Sequence, residues 1–315
     1  MQARLPLSRL ADREILGKNI RAAKLWLRER GYLLLRQQLP DPVFVVGCCR
    51  AGTSVVHETL AVSSGLLSLG YSTPEFWDSL HGPHHNGWES EAADANDARP
   101  EHRDRAFAYF FARLGPGRYV DKTCINTIRI RYLLALFPKA HFVFITRDGR
   151  ENVSSLIDGW RKGGPFRLRS FLGPSPEPVA IDDGRFDGWC FFLPPGWRNY
   201  NRSPLEEVCA YQWITANDLA LRSQPLVPPE QWTTIRYEDV MANAESAFER
   251  VCNRLGLTFD DKLRSRCREL AKHTTSLISG PPKLGKWKQN NPSEIERVLG
   301  RITPMMTRLG YDLGG

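Results

Sequence analysis

Residues 42–60, PVFVVGCCRAGTSVVHETL, constrain the fold of this chain more than any other stretch. The run VFVVG is short, apolar and rich in β-branched residues, as is typical of a strand buried in a parallel sheet. A loop that contains Gly47 and Gly52 follows, and the segment TSVVHETLAVSSG after it indicates a helix. Strand, glycine-containing loop and helix in this order predict an α/β, P-loop-like fold of three layers, with a central parallel sheet flanked by helices.

The alternation of strands and helices continues along the chain. Apolar runs predict strands at 141–146 and 232–237, and residues 118–123 contain a strand end. Periodic segments predict helices at 126–138, 149–160, 205–222, 242–257 and 292–309. Ligands of such sheets bind beyond the carboxyl ends of the strands, so we expect the loops 47–54, 147–150 and 237–240 to form one site.

Three regions depart from this alternation. Residues 1–41 form a basic amphipathic helical segment, which we expect to pack on its own domain; the alternative is peripheral contact with an anionic membrane through residues 9–39. Residues 81–104 are rich in His, Asn, Asp and Pro, as is typical of a surface excursion. Within a domain of residues 42–315, the stretch 163–204 is too long for a plain connection and indicates a functional insertion or a lid.

Composition limits the partners and the compartment. The formal net charge of +8 favours anionic ligands such as nucleotides, although charge alone does not choose among anions. The seven cysteines are scattered, without the spacing of metal ligands. No stretch resembles a signal peptide or reaches the roughly 20 apolar residues of a membrane span. We therefore expect a cytoplasmic protein, with or without peripheral membrane contact, and no nucleic-acid partner.

The loop at 47–54 lacks the lysine of a nucleoside triphosphatase. Backbone N–H groups of such a loop form a concave anion site, and the following helix adds its positive N-terminal end. Thr53 stands where the lysine would reach the outer phosphates, whereas Arg50 places a charge inside the loop. The loop therefore predicts binding of a single phosphate, in a nucleotide whose reactive group lies just beyond that phosphate. The alternative is a chance glycine pattern at the start of a helix.

A second anion site is indicated after the next strand. Arg147 follows the run HFVFIT, and Ser155 stands eight residues later in the predicted helix. Both side chains can reach a second phosphate from these positions. Alternatively, Arg147 pairs with Asp148 or caps the sheet.

Together, these segments resemble sulfotransferases that use 3′-phosphoadenosine 5′-phosphosulfate (PAPS), in the tyrosylprotein sulfotransferase-like and bacterial-type branch. CRAGTS at 49–54 is similar to the family's Pro-Arg-Ser-Gly-Thr-Thr, and DKTCINTIRIRYLLALFPKA at 121–140 to its lysine segment and Phe-Pro helix end. RDGRENVSS at 147–155, RYEDV at 236–240 and the closing Lys-Trp and Leu-Gly-Tyr-Asp segments complete the resemblance. Residues 72–118 and 158–204 match no family segment, and Ala51 replaces a serine, which removes one phosphate hydroxyl.

The resemblance implies an enzyme that transfers a sulfuryl group from PAPS to a hydroxyl and releases adenosine 3′,5′-bisphosphate, without a metal. Arg50 and Lys122 would stabilise the leaving group, and Tyr237 would lie near the adenine. The residues that would bind the cofactor are Arg50, Ala51, Gly52, Thr53, Ser54, Val55, Arg147, Ser155, Tyr237, Lys283, Lys286 and Trp287.

The general base remains open at this point. The resembling branch has a glutamate shortly after the first helix, and Glu75 is our preferred candidate, although Gly70 or Tyr71 occupies the expected place. His57 is a rival, unless it is a helix-surface histidine. The trio His81, His84 and His85 offers further rivals, or a zinc site, or a solvated loop.

The acceptor is suggested only by the aromatic insertion. Its rings suit a small-molecule, lipid or glycan acceptor, or else form a packed lid; they are Phe166, Phe171, Phe186, Trp189, Phe191, Phe192, Trp197 and Tyr200. The sequence leaves two alternative functions. One is a P-loop kinase-like phosphotransferase, disfavoured by Thr53, and the other is a non-catalytic nucleotide- or membrane-binding protein.

Overall fold

A computed structural model describes residues 13–35, 37–168, 172–270 and 284–311 of the chain. Its centre is a parallel sheet in the order β2–β1–β3–β4, composed of β1 (Val43–Val46), β2 (Val120–Asp121), β3 (His141–Thr146) and β4 (Trp232–Arg236). Val43 of β1 lies opposite both Val120 and His141. The parallel α/β architecture expected from the sequence is confirmed.

Helices precede, connect and follow these strands. In chain order they are α1 (Arg13–Leu35), α2 (Thr53–Leu60), α3 (Pro74–His81), α4 (Pro100–Leu114), α5 (Ile130–Leu136), α6 (Gly149–Lys162), α7 (Leu205–Ser223), α8 (Tyr237–Ala242), α9 (Ala244–Leu255), α10 (Asp261–Glu269), α11 (Trp287–Asn290) and α12 (Pro292–Arg308). None of the helices in these described ranges is long and apolar enough to cross a membrane.

Alternate strand residues face two separate cores, which makes the fold three-layered. Phe44 and Phe142 join a core that includes side chains of α5, α6, α7 and α12. Val45 and Val143 join the opposite core, with side chains of α2, α9 and α10. Successive side chains of a strand point to opposite faces, so both faces of β1 and β3 must be apolar. Truncation of Phe142 to alanine would cost about 3–5 kcal/mol of stability.

Two predicted elements differ from the structure, and for the first of them the reason is a set of buried tertiary contacts. The predicted helix 126–138 is a 3-10 turn followed by α5, since Arg129 has φ −127° and ψ 17°. The Arg129 side chain is fully buried and donates to Asp78 at 2.6 Å and to the Glu91 carbonyl at 2.6 Å. These bonds hold Arg129 out of the helical conformation. The predicted loop 237–240 is instead the first turn of α8.

The predicted surface excursion at 81–104 is partly wrong. It contains two 3-10 turns and the first turn of α4, which begins with Pro100 at its N-terminal end. Glu91, in the middle of this stretch, is fully buried. The spacing of Ala106, Phe107 and Phe110, all buried, is the helical pattern that would have predicted α4.

The insertion 163–204 packs against α6 through aromatic side chains, among them Phe186 and Trp189, whose rings contact Trp160. Trp189 and Trp197 are 3% and 0% exposed, and Trp160 of α6 contacts Trp189 with ring centroids 5.9 Å apart. The Trp189 indole donates to Asn201 at 2.9 Å. Phe171 lies outside the described residues. The described aromatic residues of the insertion therefore join the same core as Phe44 and Phe142, except that Phe166, Phe191 and Tyr200 remain partly exposed.

Candidate active site

The loops that follow β1 and β3 meet because these two strands are neighbours in the sheet. Arg147 donates from Nη1 to the carbonyl oxygen of Arg50 at 2.9 Å, and Arg50 donates from Nε to Ser155 Oγ at 3.3 Å. The three side chains thus belong to one site. Burial and the nearby Arg147 guanidinium lower the pKa of Arg50. Two cations held this close favour an anionic ligand between them.

The phosphate-type loop is held in a tight conformation that two positions determine. Arg50 has φ 69° and Gly52 has φ 104°. A Cβ atom at Gly52 would lie 2.4 Å from Cδ2 of Tyr237, a separation at which atoms clash. Glycine is therefore required where the Tyr237 ring packs on the loop. This contact also places Tyr237, predicted near the adenine, beside the loop.

Helix α2 begins directly after this loop. Its N-cap is Gly52, which provides no side-chain hydrogen bond to the first turn. The first N–H groups of a helix have no intrahelical acceptor, so this end is suited to an anion. The Thr53 hydroxyl lies 3.9 Å from the Cys124 sulfur, and the side chain of Val55 lies on the buried face of α2. Thr53 and Ser54 occupy the first turn, as the sequence predicted.

Two buried side chains anchor the loop from elsewhere in the chain, and the sequence reasoning missed both. Thr127 Oγ1 accepts from Gly47 N at 2.7 Å and donates to Gly47 O at 2.8 Å. Asn152 of α6 donates from Nδ2 to Cys49 O at 2.8 Å. Both lie within the segments quoted for the family resemblance, which was the available signal. They rigidify the loop from outside the pocket.

One alternative drawn from the sequence, that Arg147 pairs with Asp148, is wrong. Asp148 caps α6 and pairs with Arg150 at 2.7 Å, whereas Arg147 donates to Glu151 Oε2 at 3.2 Å. The Arg147 guanidinium also lies over the Tyr237 ring, 4.5 Å from its centroid. Burial raises the pKa of Glu151, and the Arg147 charge opposes that rise.

The buried Nε of Arg147 has no hydrogen-bond partner among the residues that the structure describes. A buried guanidinium nitrogen without a hydrogen-bond acceptor lowers the stability of the folded protein. An anion at this position would supply the missing acceptor. The residues present therefore fit a second phosphate.

Lys122 lies at the end of β2, next to the loop. Its ammonium group donates to Ser72 Oγ at 2.9 Å, and the residue as a whole is 5% exposed. The hydrogen bond from Cys49, the Lys122 ammonium, Thr53 and Arg50 together lower the pKa of Cys124 to about 6, against the effect of its burial. The field of Lys122 therefore extends over the same loop as that of Arg50.

The candidates for the general base differ in environment. Glu75 is exposed in the first turn of α3, and the residues before it contact the Lys122 segment, where Thr73 N donates to Thr123 Oγ1 at 3.1 Å. His57 is 2% exposed, with Nε2 lying 2.9 Å from Ser68 Oγ. Burial, assisted by the charge of Lys122, lowers the pKa of His57 to about 4. His57 is thus neutral near pH 7.

The histidine trio lies at and just beyond the C-terminal end of α3, whereas Glu75 lies in its first turn. The rings of His81 and His85 stack with centroids 5.4 Å apart, and His84 contacts Trp88. Across the described part of the chain, no group of three or more His, Cys, Asp or Glu side chains is arranged to hold a metal ion.

The C-terminal segment closes on α6 near Arg147. Gly285 N donates to Glu151 Oε1 at 2.5 Å, and Arg150 lies over the Trp287 ring, 5.7 Å from its centroid. Lys286 and Trp287 therefore border the Arg147 pocket. Lys283, also predicted to bind the cofactor, lies outside the described residues.

Comparisons with known proteins agree with this geometry. The sulfotransferase family model matches residues 42–173 and 189–261. Protein-tyrosine sulfotransferase 1 of Danio rerio is 23% identical over 290 residues, which cover 86% of this chain and 72% of that protein. Protein-tyrosine sulfotransferase A of Caenorhabditis elegans is 21% identical over 58% of this chain, but the match spans only 41% of its length.

Two solved structures are similar in fold. Sulfotransferase STF9 from Mycobacterium avium has a TM-score of 0.60 at 15% identity, with 94% of this chain and 86% of that chain covered. A sulfotransferase from Alicyclobacillus acidocaldarius has a TM-score of 0.51 at 12% identity, with 88% and 98% covered. The gap in the family match, residues 174–188, falls within the predicted insertion.

Proposed function

Because the chain belongs to the family of PAPS-dependent sulfotransferases, we propose that it transfers the sulfuryl group of PAPS to a hydroxyl of a small-molecule, lipid or glycan acceptor. Adenosine 3′,5′-bisphosphate is the second product. The observation that carries the proposal is the contact between Arg147 and the Arg50 carbonyl, with Ser155 on the Arg50 side chain. Because this contact joins the two anion pockets, we propose that one doubly phosphorylated adenosine occupies both.

Each pocket has a separate task. The loop 47–54 binds the 5′-phosphosulfate through backbone N–H groups and the hydroxyls of Thr53 and Ser54. Arg147 and Ser155 bind the 3′-phosphate, which distinguishes PAPS from ATP. Lys286 and Trp287 close the pocket from the C-terminal segment, and Tyr237 lies against the adenine.

The chemistry requires positioning and charge stabilisation more than covalent help from the protein. The acceptor oxygen forms a bond to sulfur. The bond from sulfur to the bridging phosphate oxygen breaks, and its electron pair leaves with adenosine 3′,5′-bisphosphate. Arg50 and Lys122 offset the charge that develops on that oxygen. The acceptor proton passes to a general base, for which we propose Glu75.

The acceptor class follows from what borders the reacting end of the site. Arg50 lies over the Phe166 ring, 5.4 Å from its centroid, and Phe166 contacts Phe191 with centroids 5.0 Å apart. Both aromatic residues belong to the insertion and are partly exposed. An apolar wall at this position favours an acceptor with an aromatic or aliphatic body next to its hydroxyl.

The test is a transfer assay with PAPS and four acceptor sets: phenols, long-chain alcohols, oligosaccharides and a tyrosine peptide. We expect sulfated products in at least one of the first three sets, detected by mass spectrometry. Sulfation of the peptide alone would leave sulfuryl transfer intact and overturn the acceptor class. Phosphorylated product from ATP and magnesium, without sulfation from PAPS, would favour the kinase-like alternative.

A further inference from the structure

A stripe of exposed apolar side chains runs along α1. Leu16, Ile20, Leu27 and Leu34 are 50%, 46%, 61% and 85% exposed. Their spacing of four, seven and seven residues places them within about 40° of one another around the helix. At about 1.5 Å per residue the stripe is about 27 Å long. An apolar surface this continuous indicates a partner.

The stripe is not the face by which α1 packs on its own domain. That contact is made from the opposite side by Tyr32, which is 7% exposed and whose ring lies 5.2 Å from Phe111 of α4. Glu29 supports it by pairing with Arg113 at 2.7 Å. Tyr32 lies about 160° around the helix from Leu16. The packing expected for an amphipathic helix is thus satisfied without the stripe.

Positive charge borders the stripe on both sides. Lys24 and Arg30 each lie about 60° from its centre, one on either edge. Exposed Trp26, with Arg30 lying 5.3 Å from its ring centroid, belongs to the Arg30 edge. From residue 16 to residue 35 the helix carries five cations and one acid, Glu29, and that acid faces Arg113.

We propose that α1 binds the surface of a membrane rich in anionic phospholipid. The apolar stripe enters the boundary between headgroups and acyl chains, while Lys24 and Arg30 contact lipid phosphates, and Trp26 lies at the headgroup level. The competing occupant is a second copy of this chain, since the same spacing suits a pair of helices. Pairing would bring Lys24 and Arg30 of one copy against cations of the other, with Glu29 turned away. Charge complementarity therefore favours the lipid surface.

The experiment is co-sedimentation of the full chain with vesicles of phosphatidylcholine alone and with an equal mixture of phosphatidylcholine and phosphatidylserine. We expect binding to the mixture and little to phosphatidylcholine. Ile20→Glu with Leu27→Glu should abolish binding. Lys24→Gln with Arg30→Gln should weaken it on the order of 25-fold, at about 1 kcal/mol for each cation.

The matched control is Leu226→Glu, since Leu226 is 56% exposed but lies far along the chain from α1. It should bind vesicles like the natural protein. All variants alter exposed positions, and an unchanged melting temperature will confirm that they fold. Equal vesicle binding by the Ile20→Glu, Leu27→Glu variant would overturn the proposal. The proposal would also be overturned if the natural protein did not bind the anionic vesicles but formed a dimer that the Ile20→Glu, Leu27→Glu variant dissociates.

Discussion

Replacement of Arg147 by methionine tests the 3′-phosphate pocket, because the side chain has two separable roles. Within the protein, Arg147 pairs with Glu151 at 3.2 Å, and both are at most 8% exposed. Removal of one partner of a buried pair costs about 3–5 kcal/mol. Here the loss should be smaller, about 2–3 kcal/mol, because Glu151 keeps the Gly285 hydrogen bond and can take up a proton.

The remaining carboxyl group gives this prediction a pH signature. Burial already raises the pKa of Glu151 above its unfolded value, and loss of the Arg147 charge raises it further. A raised folded-state pKa adds stability as the pH falls, so the destabilisation by Arg147→Met should shrink in acid. Adding Glu151→Gln should recover part of the loss at neutral pH and remove this pH dependence.

In ligand binding, Arg147→Met should remove one or two charge-assisted contacts to the 3′-phosphate, each worth about 1.5–3 kcal/mol. Affinity for adenosine 3′,5′-bisphosphate should therefore fall by roughly 10- to 150-fold or more. Affinity for adenosine 5′-monophosphate, which lacks the 3′-phosphate, should change little.

Calorimetric titration of both nucleotides, together with urea unfolding, measures these two roles. Arg161→Met is the matched control, since Arg161 lies on the same helix but pairs with Glu294 at 2.6 Å. An equal loss of affinity for both nucleotides would mean that Arg147 acts only through the Arg50 carbonyl. Unchanged affinity for both would refute the assignment.

Three further predictions follow from individual contacts. Gly52→Ala should cost about 3 kcal/mol of stability and most nucleotide affinity, because the new Cβ would lie 2.4 Å from the Tyr237 ring. The control Gly87→Ala, at φ 65° with open space around it, should cost only about 1 kcal/mol, and equal losses in the two variants would contradict the contact argument. Lys122→Ala should lower kcat by about 100-fold or more while leaving affinity for adenosine 3′,5′-bisphosphate nearly unchanged; normal turnover would make Lys122 structural. The folded-state pKa of His57 is lowered to about 4, so the natural protein should lose up to about 3 kcal/mol of stability as the pH falls from 6.5 toward 4. His57→Gln should remove this loss from the curve of unfolding free energy against pH, and parallel curves for the two proteins would contradict a buried, neutral ring.

The sequence predicted those parts of the site that local pattern encodes. Arg50 and Arg147 closely follow buried strands, and Ser155 lies on the helix after the second, so strand order and loop spacing indicated two anion sites. The family resemblance was needed to assign both sites to one nucleotide. The C-terminal closing segment was placed by resemblance, and the structure positions Trp287 beside Arg150.

The parts that escaped prediction depend on partners distant in the chain. Thr127 binds Gly47 across 80 residues, and Asn152 binds Cys49 across 103. No local periodicity specifies such pairs. Arg129 shows the same limit in the fold: its segment has a helical pattern, and buried bonds to Asp78 and Glu91 override that pattern.

The central claim is that two pockets at adjacent strand ends bind the two phosphates of one nucleotide. A crystal structure with adenosine 3′,5′-bisphosphate tests it most directly. The account predicts the 5′-phosphate within the loop 47–54 beside Arg50, and the 3′-phosphate on Arg147 and Ser155. A nucleotide whose 3′-phosphate points into solvent, or whose 5′-phosphate lies outside the loop, would contradict it.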